Sequence, residues 1–182
     1  MGAARAVLVS DPELAGSDAL TTAKVLAAAA RKLGDVELII AGTESSDGYT
    51  GTVPEQMAEV LGLPSVTFAK SVAVEGGTLR VNRQTEAGFD EVECPTPAVV
   101  SVTAGVVEPR YPSFKGIMAA KSKPVDTVTA ADLGVTPVGW AGAGQQIVAV
   151  EAAPAREAGE VVEDDGEAYL KVVAFLEGLK VI

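Results

Sequence analysis

The chain is predicted to be an α/β protein in which a parallel sheet carries an antiparallel meander and the chain ends in an extended arm. Three observations predict this. Residues 36–63, VELIIAGTESSDGYTGTVPEQMAEVLGL, read as an apolar strand, a glycine- and hydroxyl-rich turn and a capped helix. A second strand-then-helix segment stands before it, and from Ser65 the pattern changes to short alternating β-branched runs separated by Gly76-Gly77 and by Ala87-Gly88. Strand, helix and parallel strand followed by hairpins give a Rossmann-like parallel-sheet sandwich with an antiparallel addition.

Taken in order, Arg5–Ser10 (RAVLVS) reads as the first strand, followed by a loop at Asp11-Pro12 and a helix from Ser17. That helix has Ala19, Leu20, Ala23, Leu26, Ala27, Ala30 and Leu33 on one face, and Gly34 ends it. Val36–Ala41 (VELIIA) has no clear alternation, as expected of a strand covered on both faces. The three elements predict a right-handed β-α-β unit with the glycine loop at the carboxyl end of its second strand, where open parallel sheets bind ligands.

The next helix is expected to begin near Thr52. Thr52 and Glu55 have the T-x-x-E spacing of a capping box, Pro54 lies in the first turn, and Met57, Val60 and Leu61 form an apolar stripe that Gly62 and Pro64 terminate. In the preceding loop Gly42, Gly48 and Gly51 let the backbone approach a ligand, Asp47, Thr50 and Thr52 supply short polar side chains, and free N–H groups at Gly51, Thr52 and Val53 would face an anion. The segment is neither a P-loop nor G-x-G-x-x-G, and it equally fits an ordinary βα connection whose hydroxyl residues cap a helix.

Beyond Pro64, Lys70–Glu75 and Thr78–Arg83 form a hairpin around Gly76-Gly77, Phe89–Cys94 adds a third strand, and Pro97–Val102 returns as a buried run. Glu108–Pro124, EPRYPSFKGIMAAKSKP, is rich in proline and basic residues within an acidic chain. Phe114, flanked by Pro112 and Gly116, is expected in a loop, where it either tucks into the core or stands out as an apolar anchor for another protein. Lys123–Thr129 fits a further strand and Thr129–Leu133 a short capped turn. From Gly134 onward Gly, Ala and Pro are too frequent for a regular layer, so this part reads as an extended arm with a strand-like stretch at Gln146–Val150. Glu157–Glu167 is a solvated acidic stretch, and Ala168–Leu179 closes the chain as a helix with Leu170, Val173, Phe175, Leu176 and Leu179 mostly on one side. The expected organisation is a nucleotide-binding α/β domain over residues 1–150 and, over 151–182, an arm and helix that dock on another subunit or fold back.

Composition restricts the chemistry. With 182 residues, 48% hydrophobic but 4% aromatic, the interior must be rich in Ala and Val. A net charge of −11 argues against nucleic acid or an anionic membrane surface as a partner. The single cysteine, Cys94, excludes an internal disulfide and offers no metal cluster, which fits the reducing cytoplasm. The start has no secretory apolar region, and the longest apolar stretch, around Val25–Ala30, is too short for membrane insertion. Histidine is absent, so Ser-His-Asp and Cys-His catalysis are excluded, and no catalytic or metal residue is assigned. Chemistry is expected to come from a cofactor or a partner.

Three segments, GTESSDGYTGTVPEQMAEVLGLP, VNRQTEAGFDEVECPTPAVVSV and above all EPRYPSFKGIMAAKSKP, resemble the β subunit of electron transfer flavoprotein, and the likeness runs along essentially the whole chain. The resemblance implies the adenine-nucleotide alpha-hydrolase-like form of the sandwich. It also implies a heterodimer with an α subunit and a role as carrier, not stand-alone enzyme. Electrons would come from acyl-CoA and other flavoprotein dehydrogenases and pass through FAD to a quinone oxidoreductase and the respiratory chain, as in fatty acid oxidation. In such proteins FAD sits mainly on a mobile domain of the α subunit, while the β subunit holds a structural AMP and the surface that recognises dehydrogenases.

The family's AMP loop maps onto Gly42 to Val53, making Gly42, Asp47, Gly48, Gly51, Thr52 and Val53 the expected cofactor-binding residues. Its recognition loop maps onto Arg110 to Ala119, so Arg110, Tyr111, Pro112, Ser113, Phe114, Lys115, Gly116, Ile117 and Met118 are the expected partner-binding residues, with Phe114 where a leucine is common. Family members begin with a strand, a V-K-x-V-P-D-like loop and a further β-α unit before the point where Met1 stands. By the same resemblance roughly the first third of the domain, with a central strand and part of the AMP pocket, is expected to be absent. A second FAD in place of AMP, a stand-alone adenine-nucleotide binding module of the stress-protein type, and a nucleotide-dependent hydrolase or ligase using Asp47 with a metal are the alternatives.

Overall fold

The structure, a computed structural model, describes residues 1–156 and 158–182; Glu157, the first residue of the expected acidic stretch, lies outside the described residues. Its strands are β1 (Ala6–Val9), β2 (Leu38–Gly42), β3 (Ser65–Glu75), β4 (Thr78–Thr85), β5 (Gly88–Pro95), β6 (Ala98–Val102) and β7 (Val125–Val128). Its helices are α1 (Ala19–Leu33), α2 (Val53–Leu61), α3 (Phe114–Ala120), α4 (Gly139–Gly142) and α5 (Ala168–Gly178). Residues Met1–Gln146 form one compact unit and Ile147–Ile182 a second.

In the first unit the apolar run AVVSV makes β6 a buried inner strand, between β2 and β3, of a five-stranded sheet of order β2-β6-β3-β4-β5. The β2-β6 and β6-β3 ladders are parallel and those of the β3-β4-β5 meander are antiparallel, so the sheet is mixed, as expected for an α/β protein with a meander. Val66, Ala69, Leu79, Val81, Cys94, Ala98 and Val100 make the principal core, and α2 packs on β3 and β6 through Met57 and Ala58. Val and Ala suit this interior because β-branched and small side chains fill a pleated surface at low rotamer cost.

Strand β3 takes part in both regimes. It pairs in parallel with β6 at Ser65↔Val99 and Val66↔Val100, and antiparallel with β4 from Ala69 onward. Phe68 stands at the changeover with φ +55, its N–H donating to the buried Ser101 hydroxyl at 3.1 Å. That hydrogen bond replaces the ladder bond lost where the register shifts.

The β-α-β expectation is corrected in one respect. β1 pairs in parallel with β7, as a separate two-stranded sheet, while β2 pairs with β6; no ladder joins β1 to β2 among the described residues. Helix α1 therefore links two sheets. β2 is an edge strand, with Ile40 63% exposed, and is not covered on both faces. The face of α1 is corrected as well. Buried positions are Thr21, Val25 and Ala29 on one arc and Ala23 and Ala27 on another, whereas Leu20, Leu26 and Leu33 are exposed. Small side chains allow close approach from two directions, and that favours the alanine arcs over the leucine stripe.

The expected arm begins later than Gly134. Residues 135–144 fold onto the start of α1: the Gly139 N–H donates to Ser17 Oγ at 3.0 Å, the Gly144 N–H to the Asp18 carboxylate at 2.8 Å, and the Thr21 hydroxyl to the Gly142 carbonyl at 3.0 Å. Trp140 lies against Gly16, where a Cβ would come within 2.1 Å of the indole ring. Glycine and alanine here permit close backbone contact in place of regular layering. Gln146–Val150 is not a strand. In the second unit, described by itself, α5 matches the expected closing helix.

Candidate functional site

The ladder between β2 and β6 ends at the pair Gly42↔Val102, and the loop to α2 leaves from that carboxyl end. Thr43 anchors it by donating its hydroxyl hydrogen to the Val102 carbonyl at 3.1 Å. A tight turn follows, in which the Tyr49 N–H donates to the Ser45 carbonyl at 3.1 Å and the Gly48 N–H donates to Asp47 Oδ1 at 2.8 Å. The Ser45 hydroxyl and the Gly48 N–H hold the Asp47 carboxyl below the ordinary aspartate range, so it is ionised at neutral pH. Gly51 is left-handed at φ +64, and the Glu44 carboxylate lies 3.7 Å from where a Gly51 Cβ would be, so the chain passes close beneath it.

The capping box does not form. Thr52 already has near-helical backbone angles, φ −114 and ψ −8, and its hydroxyl makes no capping bond to the first turn of α2. An N-cap needs extended backbone angles to swing its oxygen back over the N–H groups, and Thr52 lacks them. The other half of the box is also unused: Glu55 Oε2 and Gln56 Oε1 are buried without partners. Among the described residues, the N–H groups of Gly51, Thr52 and Val53 consequently have no acceptor within the chain.

Gly42, Asp47, Gly48, Gly51, Thr52 and Val53 are thus brought into one loop, although the Gly48 N–H is already occupied by Asp47. The uncapped start of α2 offers donors to one small anion. Glu44 and Asp47 supply acceptors suited to hydroxyl or amino donors, and residues 42–53 contain no Lys or Arg to neutralise a longer phosphate chain. Glu44, Ser45 and Tyr49 were not singled out from sequence; the signal that could have marked them is the S-x-D-G turn pattern within the loop.

The second group of predicted residues precedes β7. Ser113 caps α3 by accepting the Gly116 N–H at 3.1 Å, so Phe114 opens a short helix and does not sit in a loop. Phe114 is 79% exposed, which excludes the core alternative. Arg110, Tyr111, Pro112, Ser113, Lys115, Ile117 and Met118 are exposed too, and Gly116 is half-buried. Tyr111, Phe114, Ile117 and Met118 bring four large apolar side chains to the surface in one short segment. No hydrogen bond or ion pair links this segment to the loop after β2 among the described residues. Also among the described residues, no group of three or more metal-ligating side chains is assembled, and no helix is long and apolar enough to cross a membrane.

Comparison with known proteins bears on both segments. The family described as Electron transfer flavoprotein domain matches residues 1–133. The chain is 45% identical over 184 residues to the electron transfer flavoprotein subunit beta of Mycobacterium bovis, an alignment covering 100% of this chain and 69% of that protein. For the Mycobacterium leprae subunit beta the identity is 44% with the same coverage of each chain. The caffeyl-CoA reductase-Etf complex subunit CarD of Acetobacterium woodii is 33% identical over 164 residues, covering 89% of this chain and 63% of that one. A family match over residues 1–133, joined to 44–45% identity over the whole of this chain with mycobacterial β subunits, establishes that the chain belongs to the electron transfer flavoprotein family as a relative of its β subunits.

Proposed function

We propose that the chain is the β subunit of an electron transfer flavoprotein, working in the cytoplasm as a carrier in a heterodimer with an α subunit. In this reading it docks flavoprotein dehydrogenases, acyl-CoA dehydrogenases among them, and the complex passes their electrons through FAD toward a quinone oxidoreductase and the respiratory chain. FAD, held mainly by the α subunit, supplies the redox chemistry when bound. This chain's own residues bind and orient. Phe114, presented by the Ser113 cap, is the apolar anchor, and Tyr111, Ile117 and Met118 widen the contact. Gly51, Thr52 and Val53 hold the phosphate of a structural AMP through their free N–H groups, with Glu44 and Asp47 accepting from its sugar or base.

The observation that carries the reading is the exposed Phe114 on a capped helix, in a chain whose whole length aligns with β subunits. The absence of basic residues in the 42–53 loop supports a monophosphate over a longer phosphate chain such as that of a second FAD. The name of the CarD relative joins an Etf to a CoA-thioester reductase, which supports a CoA-linked flavoprotein as partner.

The test is to tag the chain, express it in its native host, and record the absorption spectrum and mass-spectrometric composition of what co-purifies. A yellow complex with one larger subunit, FAD and AMP is expected. A colourless protein that comes down alone with an adenine nucleotide would refute the carrier reading and favour the stand-alone nucleotide module.

A further inference from the structure

We infer that the groove beside Trp140 docks a basic side chain, arginine best, of a partner polypeptide, the indole facing its cation and the Glu13 carboxylate matching its charge. Strands β1 and β7 run in parallel and end at Val9 and Val128, so the segments that follow them leave one edge of that small sheet together. Open parallel sheets place their ligands outside this carboxyl edge. There the turns Pro12–Leu14 and Ala131–Leu133 and the segment 135–141 wall a cavity of about 620 Å³, with Pro12, Glu13, Val135, Pro137, Val138 and Trp140 in its lining. Asp11 ties two of the walls together, its carboxylate accepting the Glu13 N–H at 2.9 Å and the Ala130 N–H at 3.0 Å. The third wall is fixed by the Trp140 N–H, which donates to the Ala15 carbonyl at 3.1 Å. A Cβ at Gly16 would run into the indole ring and one at Gly139 into the Glu13 carbonyl, so these two glycines let the walls close on each other.

Trp140, the only tryptophan in the sequence, stays 61% exposed although its position is fixed from both sides. Among the described residues no hydrogen bond or ion pair engages the Glu13 carboxylate, and no Lys or Arg lines the groove. An indole and a free carboxylate on one apolar cavity favour the same ligand, an organic cation. A guanidinium suits them best, because it is planar and weakly hydrated and can stack on an aromatic face while its N–H groups reach a carboxylate. Small-molecule sites cover most of their ligand, whereas an indole this open needs a partner surface to complete the cover, as at a tryptophan anchor of a protein interface. Charge selects the same occupant: the chain carries −11, and Asp11 and Asp132 stand beside the two turns. The groove is built without the 42–53 loop or α3, so it stands or falls independently of the carrier reading.

The experiment is titration of the full chain, at constant ionic strength, with N-acetylarginine amide, with the neutral N-acetylcitrulline amide and with tetramethylammonium. Because Trp140 is the only tryptophan, its fluorescence and its indole N–H resonance report this groove alone. The arginine amide is expected to give a saturating change in these signals, and the citrulline amide none over the same range. Glu13→Gln is expected to raise the half-saturating arginine amide concentration about threefold or more, the scale of an exposed ion pair. Glu86→Gln, on the turn between β4 and β5, removes the same charge elsewhere and is expected to leave it unchanged. Thermal melts of both variants should match the wild type, since both side chains are exposed. An equal response to the citrulline amide, an equal shift in the two variants, or no response in either signal overturns the inference. Tighter binding of tetramethylammonium than of the arginine amide overturns the docking role in favour of a free small cation.

Discussion

Replacing Phe114 with alanine separates docking from folding, because the residue is exposed and its helix is capped independently by Ser113. A phenylalanine offers roughly 150–250 Å² to a partner pocket, and at about 25 cal/mol per Å² full burial corresponds to roughly 4–6 kcal/mol. With 79% of the residue exposed in the free chain, most of that area is available to a partner. Ordering and imperfect complementarity reduce the observable part, and truncation of a central aromatic anchor costs about 2–3 kcal/mol, or roughly 30- to 150-fold in Kd. Folding stability should change by no more than about 0.5 kcal/mol, as for other surface substitutions. The assay is electron acceptance from an acyl-CoA dehydrogenase, followed as a function of dehydrogenase concentration, alongside flavin content and a thermal melt. A raised KM with unchanged flavin content and melting temperature is expected. A melting temperature lowered by several degrees would show that Phe114 supports the fold, and an unchanged KM would show that α3 is not the docking surface; either result refutes the reasoning.

Leu79→Ala empties a core position that is 0% exposed and should cost about 2–5 kcal/mol in chemical denaturation. Ser101→Ala removes the acceptor of the Phe68 N–H from a site that is 2% exposed, and a loss of roughly 1–3 kcal/mol is expected by the same measurement. Asp18 accepts the N–H groups of Thr21 and Gly144, and these bonds hold its carboxyl below the ordinary value of 3.8. Because its pKa is lower folded than unfolded, Asp18 stabilises the fold above about pH 4, and this contribution fades as the pH falls through the folded value. In Asp18→Asn, the deficit relative to wild type should be fully present at pH 7 and shrink toward pH 2 in paired denaturation curves; a deficit independent of pH would contradict the assignment.

Local chemistry made much of the architecture legible. Gly76-Gly77 fixes a hairpin because left-handed turn positions favour glycine, the alternation of 65–95 supplies its strands, and Gly34 and Gly62 stop α1 and α2 where expected. The helix expected from Ser17 begins two residues later, at Ala19, where Asp18 caps the Thr21 N–H. The loop after β2 was placed correctly by its glycines, yet the pattern T-x-x-E predicted a capping box that Thr52 does not make. Spacing puts two residues within reach; backbone angles decide whether the hydroxyl turns back.

By itself, then, the sequence determined what depends on near neighbours: the strands of the meander, the helix ends and the carboxyl-end position of the 42–53 loop. Tertiary structure alone decided what depends on distant residues. That β1 pairs with β7 and not in one sheet with β2, and that residues 135–144 close on the start of α1 through Ser17, Asp18 and Thr21, follow from surfaces more than a hundred residues apart meeting in space, and α1 buries alanine arcs in place of its leucines where α2 and other elements pack on it. The exposure of Phe114 belongs to the same class. Whether an apolar side chain lies in the core or stands in solvent is set by whether another element covers it, and no local pattern carries that information.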